Sequence, residues 1–101
     1  MEYLWIEYFQ QEEDDPTDTY TELDENRLER RRVDFYQNGM RFAYGAERGR
    51  TEVLSKTPYP ENSSTLNRPG EVEVHVIDRP AFEELWYRSQ DWPSGFMEIF
   101  G

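Results

Sequence analysis

The tripeptide Gln37-Asn38-Gly39 is the strongest constraint on how this chain can fold. Asn and Gly tolerate the positive φ that tight hairpins require, and the residues on either side alternate as strands do. Over residues 29–36, Val33 and Phe35 alternate with Arg32, Asp34 and Tyr36; over residues 40–44, Met40, Phe42 and Tyr44 share one face. The pattern predicts an antiparallel hairpin. Residues 71–77 (Glu-Val-Glu-Val-His-Val-Ile) alternate without a break and predict another strand, with Val72, Val74 and Val76 toward the core. Residues 2–9 are aromatic and β-branched, with no Gly or Pro. They predict a strand with Tyr3, Trp5 and Phe9 on one side and Leu4, Ile6 and Tyr8 on the other. Apolar residues on both sides place that strand inside the sheet. Tyr20 to Leu23 reads as a short strand, followed by a turn at Asp24-Glu25-Asn26.

Asp78 fits a helix N-cap, with Pro80 in the first turn and Glu83-Glu84 near the positive end. Phe82, Leu85 and Trp86 then form one apolar stripe at i, i+3, i+4 spacing, and the helix is expected to run to about Ser89. Gly and Pro punctuate residues 45–70, where Glu52 to Ser55 suggests a short strand and Glu61 to Asn67 a single helical turn. The expected fold is α+β: a small antiparallel sheet of about four or five strands with a C-terminal helix packed on one face. One domain is expected over residues 1–101, with an acidic loop at 10–19 and an aromatic tail at 91–101. Only 36% of the residues are apolar, but 16% are aromatic, so a few rings can supply much of the core.

The charge is unevenly placed. The first 29 residues hold eleven of the 22 Asp and Glu residues and a single basic residue, Arg27. Such a segment repels phosphate backbones and attracts cationic surfaces. It therefore predicts a basic protein as partner and argues against nucleic acid and anionic membranes. Glu12, Glu13, Asp14, Asp15, Asp18, Glu22, Asp24 and Glu25 are the expected docking carboxylates. The Arg27, Arg30, Arg31, Arg32 run lies among acidic neighbours and is expected to pair internally across strands. The tail aromatics Trp92, Phe96 and Phe100 are expected to cover the sheet or helix, with Trp92 and Phe96 as weaker candidates for apolar anchors at an interface.

Other classes lack their signatures. There is no cysteine, which excludes a disulfide scaffold, a thiolate zinc site and a cysteine nucleophile. No Gly-rich phosphate loop, nucleophile elbow or metal-binding histidine pair is present. His75 is the single histidine and falls on the outward face of its strand, without the partners a general base needs. Asp14-Asp15-Pro16-Thr17-Asp18 superficially resembles a calcium loop but lacks the alternating ligands, central Gly and distal Glu of an EF-hand. No catalytic residue, metal or cofactor is therefore expected; a small carboxylate-dependent hydrolase is the enzymatic alternative. No apolar run approaches the roughly 20 residues that span a bilayer, and the first residues lack the basic start and apolar stretch of a signal peptide, so cytoplasmic residence is the expectation.

Tyr3-x-Trp5-Ile6-x-Tyr8, Glu22-Leu23-Asp24, Arg27-x-Glu29-x-Arg31-x-Val33, the turn Asn38-Gly39 and Phe82-Glu83-x-Leu85-Trp86 resemble a family of small bacterial proteins known only as a domain of unknown function. The resemblance spans most of the chain outside the C-terminal tail. It implies a small sheet with helices and no catalytic residues. In size and acidity the chain is more loosely similar to immunity proteins of bacterial toxin systems, including contact-dependent growth inhibition. That similarity implies an inhibitor that occupies the cationic substrate surface of a toxic nuclease. The alternative is an acidic accessory or regulatory domain that binds another cytosolic protein.

Overall fold

A computed structural model describes residues 1–9 and 12–91, with the side chains of Gln90 and Asp91 outside that description. The chain forms β1 (Glu2–Tyr8), β2 (Asp18–Leu23), β3 (Glu29–Phe35), β4 (Arg41–Gly45), β5 (Val72–Ile77), α1 (Arg79–Arg88) and β6 (Gln90–Asp91). The sheet order is β5-β1-β2-β3-β4-β6. Strands β1 to β5 pair antiparallel, and the two residues of β6 pair parallel with Phe42 and Ala43 at the far edge. This is the expected α+β architecture. β1 lies between β5 and β2, as its two apolar faces required.

The hairpin turns at Tyr36–Met40. Gly39 takes φ 86°, and the Asn38 side chain accepts from the Met40 amide at 2.9 Å. α1 starts where the sequence indicated: Asp78 Oδ1 accepts from the Ala81 amide at 3.0 Å, and proline occupies the first turn. Residues 52–55 form no strand, and the expected helical turn is a short 3₁₀ segment at Ser63–Leu66.

Strand alternation gives the sheet two unlike faces. On one, α1 sets Phe82 and Trp86 against Tyr3, Val33 and Ala43. On the other, Leu4, Ile6 and Leu23 are covered by Tyr8, Tyr59, Val72 and Val74. Val76 shares that second face but is 69% exposed, which corrects its expected core position. It lies on an edge strand, and the covering cluster reaches Val72 and Val74 but not its position.

Buried charge is matched within the fold. Arg31 binds Glu22 through two bonds, at 2.8 and 2.7 Å, and reaches Glu83 of α1, with its guanidinium over the Phe82 and Trp86 rings. On the opposite face Arg32 meets Asp34 at 2.8 Å and Glu29 at 3.6 Å. Glu29 also holds the long connection between β4 and β5, accepting from the Ser55 amide at 2.7 Å and the Tyr59 hydroxyl at 2.6 Å. Arg27 ties down the same connection through the Tyr59 and Pro60 carbonyls and Ser63, while also binding Glu2. Its φ of 63° places a non-glycine residue in the left-handed region, a strain that these contacts offset. Arg27, Arg31 and Arg32 are thus used internally, as their acidic surroundings predicted. Among the described residues no helix is long and apolar enough to cross a membrane.

Candidate functional site

The acidic segment does not form one face. Glu22 is 4% exposed and fully engaged by Arg31, so it leaves the docking set; its strand position points it under α1. Burial alone would raise its pKa, but hydrogen bonds from Arg31 and Tyr3 and the Arg31 charge hold it below the ordinary carboxylate range. Asp24 and Glu25 lie in the β2–β3 turn, beside Met1 and Arg30. Asp24 spends one oxygen on the Asn26 and Leu28 amides, at 2.8 and 3.0 Å. Glu12, Glu13, Asp14, Asp15 and Asp18 lie at the opposite end of the sheet. Trp92 and Phe96 fall outside the described residues.

That second end is where negative charge accumulates. The β1–β2 connection is fastened there: Tyr8 N–H bonds the Thr17 carbonyl, Thr17 N–H the Phe35 carbonyl, and Phe9 N–H the Glu71 carbonyl. Glu12 to Asp15 close a turn of their own, with all four residues exposed. Glu13 and Asp14 border a shallow depression shared with Gln37 and Asn38. Beneath the loop, register sets three carboxylates abreast on adjacent strands: Glu73 of β5 opposite Glu7 of β1, and Glu7 opposite Asp18 of β2. They occupy the helix-bearing face, beyond the part of it that α1 covers. Like charges directly opposite one another destabilise a sheet, so this row calls for a cation.

A row of rings runs beside the carboxylates. His75 stands 4.5 Å from Trp5, Trp5 stacks on Tyr20 at 5.9 Å and 10°, and Tyr20 meets Phe35 at 5.2 Å. The Arg41 guanidinium lies 5.2 Å over Phe35 at the end of the row. Trp5, Tyr20 and Phe35 are partly exposed. Asp18 accepts from Trp5 Nε1 at 2.8 Å and from the Thr17 hydroxyl at 2.8 Å, which joins the acidic row to the aromatic one. Tyr20 is pushed up to about 12 by burial first, and then by the charges of Asp18 and Glu7. The field of the carboxylates is therefore felt at the rings.

His75 Nε2 lies 2.6 Å from Glu7 Oε1 and 3.6 Å from Glu73 Oε1. One ligand atom from each of the three residues lies within 4.8 Å of the others, a set that a metal ion could use. The sequence placed His75 on the outward face and left it without partners. Local sequence pattern does not single out Glu7, Glu73 or Trp5 as site residues. Alternation shows that Glu73 and His75 share a face, but what brings them to Glu7 and Trp5 is the register of two strands more than sixty residues apart.

A cationic side chain arriving at this end would find carboxylates for charge-assisted hydrogen bonds and aromatic faces for cation–π contact. No curated protein and no solved structure matches the chain. The family model for Domain of unknown function (DUF6881) matches residues 2–91, which takes in all six strands and the helix. With nearly the whole fold inside that match, the chain belongs to the DUF6881 family.

Proposed function

We propose that this chain is a protein-binding domain that docks a basic protein surface, and that it serves as an immunity protein which occludes the cationic substrate site of a toxic nuclease. The observation that carries the reading is the acidic end of the sheet: exposed Glu12, Glu13, Asp14 and Asp15 above the Glu73–Glu7–Asp18 row, with the Trp5–Tyr20–Phe35 rings alongside. Long-range attraction to such a patch accelerates encounter, and the rings supply short-range contact for arginine or lysine. A nuclease must present positive charge to hold its substrate, so an acidic ligand of this kind competes for the same surface. The fold itself consumes Glu2, Glu22 and Glu29 of the early acidic segment in pairs with Arg27, Arg31 and Arg32, and Asp24 in a turn.

The test starts with a basic protein recovered on the immobilised chain from its native host and eluted with salt. Association kinetics are then measured with the Glu12→Gln, Glu13→Gln, Asp14→Asn, Asp15→Asn variant. Slower association, by about tenfold at low salt, with a flatter salt dependence is expected. An unchanged association rate removes the acidic end as the docking surface. Immunity is read separately: co-expression must protect cells from the recovered protein when that protein is toxic. Binding without protection would leave an accessory, regulatory partner as the better reading.

A further inference from the structure

We propose that Glu7, Glu73 and His75 form a zinc site that clamps edge strand β5 to β1. The argument begins with a charge problem. Glu73 and Glu7 are direct cross-strand partners, and Asp18 flanks Glu7 on the other side. Three carboxylates abreast on one face oppose strand pairing. Asp18 is relieved by Trp5 Nε1 and Thr17, whereas among the described residues His75 is the ion-pair partner that Glu7 and Glu73 share. An imidazolium there serves mainly one of them, since Nε2 is 2.6 Å from Glu7 and 3.6 Å from Glu73. A dication at the centre of the three groups serves both.

The donor set fits. One imidazole nitrogen and two carboxylate oxygens are ordinary zinc ligands, with bonds of about 2.0–2.2 Å. Tetrahedral geometry with such bonds separates ligand atoms by about 3.3–3.6 Å; His75 Nε2 lies 3.6 Å from Glu73, within that range, and 2.6 Å from Glu7, closer than it. The β1–β5 register places the three residues on one face, with their ligand atoms within 4.8 Å of one another. All three side chains remain partly exposed, so an ion can enter and a water can fill the fourth position. A nitrogen donor and three protein ligands disfavour magnesium and calcium, which prefer more oxygen ligands. The Trp5 ring against His75 fixes one side of the imidazole. The site lies within the acidic end described above, so zinc there would occupy Glu7 and Glu73 and leave Asp18 and the loop carboxylates to meet a docking partner.

The experiment is a calorimetric titration of the full chain with zinc, paired with thermal unfolding. One equivalent of zinc is expected to bind and to raise Tm by at least about 4 °C at saturation, with no comparable shift from magnesium or calcium. His75→Gln and Glu73→Gln should each weaken binding by at least about tenfold. Glu73 is exposed at a sheet edge, so its variant is expected to keep the fold, which far-ultraviolet circular dichroism verifies. The Glu12→Gln, Glu13→Gln, Asp14→Asn, Asp15→Asn variant should bind zinc as the native chain does. Three results would each overturn the site: no zinc-dependent rise in Tm, binding that survives both ligand variants, or binding lost only with the loop carboxylates. An equal response to magnesium would overturn it as well, by showing that the imidazole is not a ligand.

Discussion

At the scale of single residues, what separates structural from available carboxylates is the company each keeps. Glu22 and Asp18 belong to the same acidic run and the same strand, yet one is held by Arg31 and the other by an indole N–H. An arginine neutralises; an indole does not, so Asp18 still projects its charge. Two predictions follow from that difference. Replacing Asp18 with Asn should bring the Tyr20 titration down from about 12, because Asp18 is its largest charged neighbour, while burial keeps it above the ordinary tyrosine value of about 10. Tyrosine ring carbon shifts followed by NMR against pH resolve this residue from the other tyrosines. Arg31→Met should destabilise the domain by about 3–5 kcal/mol, since it strands Glu22 in a buried site. Adding Glu22→Met should restore much of the loss in urea unfolding. A double variant no more stable than the single one would mean that packing of Arg31 on Phe82 and Trp86, rather than the stranded charge, dominates.

Among the elements, the least regular segment is held to the sheet by charged side chains. The connection between β4 and β5 has little secondary structure beyond two 3₁₀ turns, at Ala46–Arg48 and Ser63–Leu66, and Glu29 and Arg27 fasten it to the sheet. Tyr59→Phe removes the 2.6 Å bond to a charged acceptor, which should cost about 1.5–3 kcal/mol. It should also open residues 50–60 to limited proteolysis before the strands are cut, and uniform protection of that segment would contradict the assigned role. Tyr59 illustrates what local sequence pattern conveys and what it does not. Alternation and turn chemistry marked β1, the β3–β4 hairpin, β5 and the start of α1, because those signals are local. Nothing local marks Tyr59 as a core residue, or Glu29 as its anchor, because the two meet across thirty positions of chain. Val76 shows the reverse failure: perfect alternation assigns it a face, but only the sheet order reveals that the strand is an edge. The candidate site was legible to the same degree. The loop carboxylates were visible as composition, whereas Glu7, Glu73, His75 and Trp5 converge through register alone.

Across the whole molecule, charge is sorted rather than spread. Arg31 and Arg32 meet the carboxylates that the fold buries, and exposed Glu12, Glu13, Asp14 and Asp15 gather at one end of the sheet. This division sets the carboxylates of the Arg31 cluster apart from those of the loop, and the former tie stability to pH. Burial opposes ionisation of Glu2 and Glu22, but hydrogen bonds to their partners prevail, and both titrate below the 4.5 of a free carboxylate. Glu83 is lowered chiefly by its bond to Arg31. A depressed folded-state pKa means that the unfolded chain takes up protons first, so these groups stabilise the fold fully above about pH 5 and lose that contribution as pH falls through their native values. Urea midpoints should therefore hold steady between about pH 7 and pH 5 and decline toward pH 3. The Arg31→Met, Glu22→Met variant should show a shallower decline, since it removes one of the depressed carboxylates and the arginine that depresses Glu83. The Glu12→Gln, Glu13→Gln, Asp14→Asn, Asp15→Asn variant should keep the native urea midpoint at pH 7, because all four side chains are exposed in a surface turn. Parallel curves for the native chain and the core double variant would show that the acid response arises outside the Glu22–Arg31–Glu83 cluster.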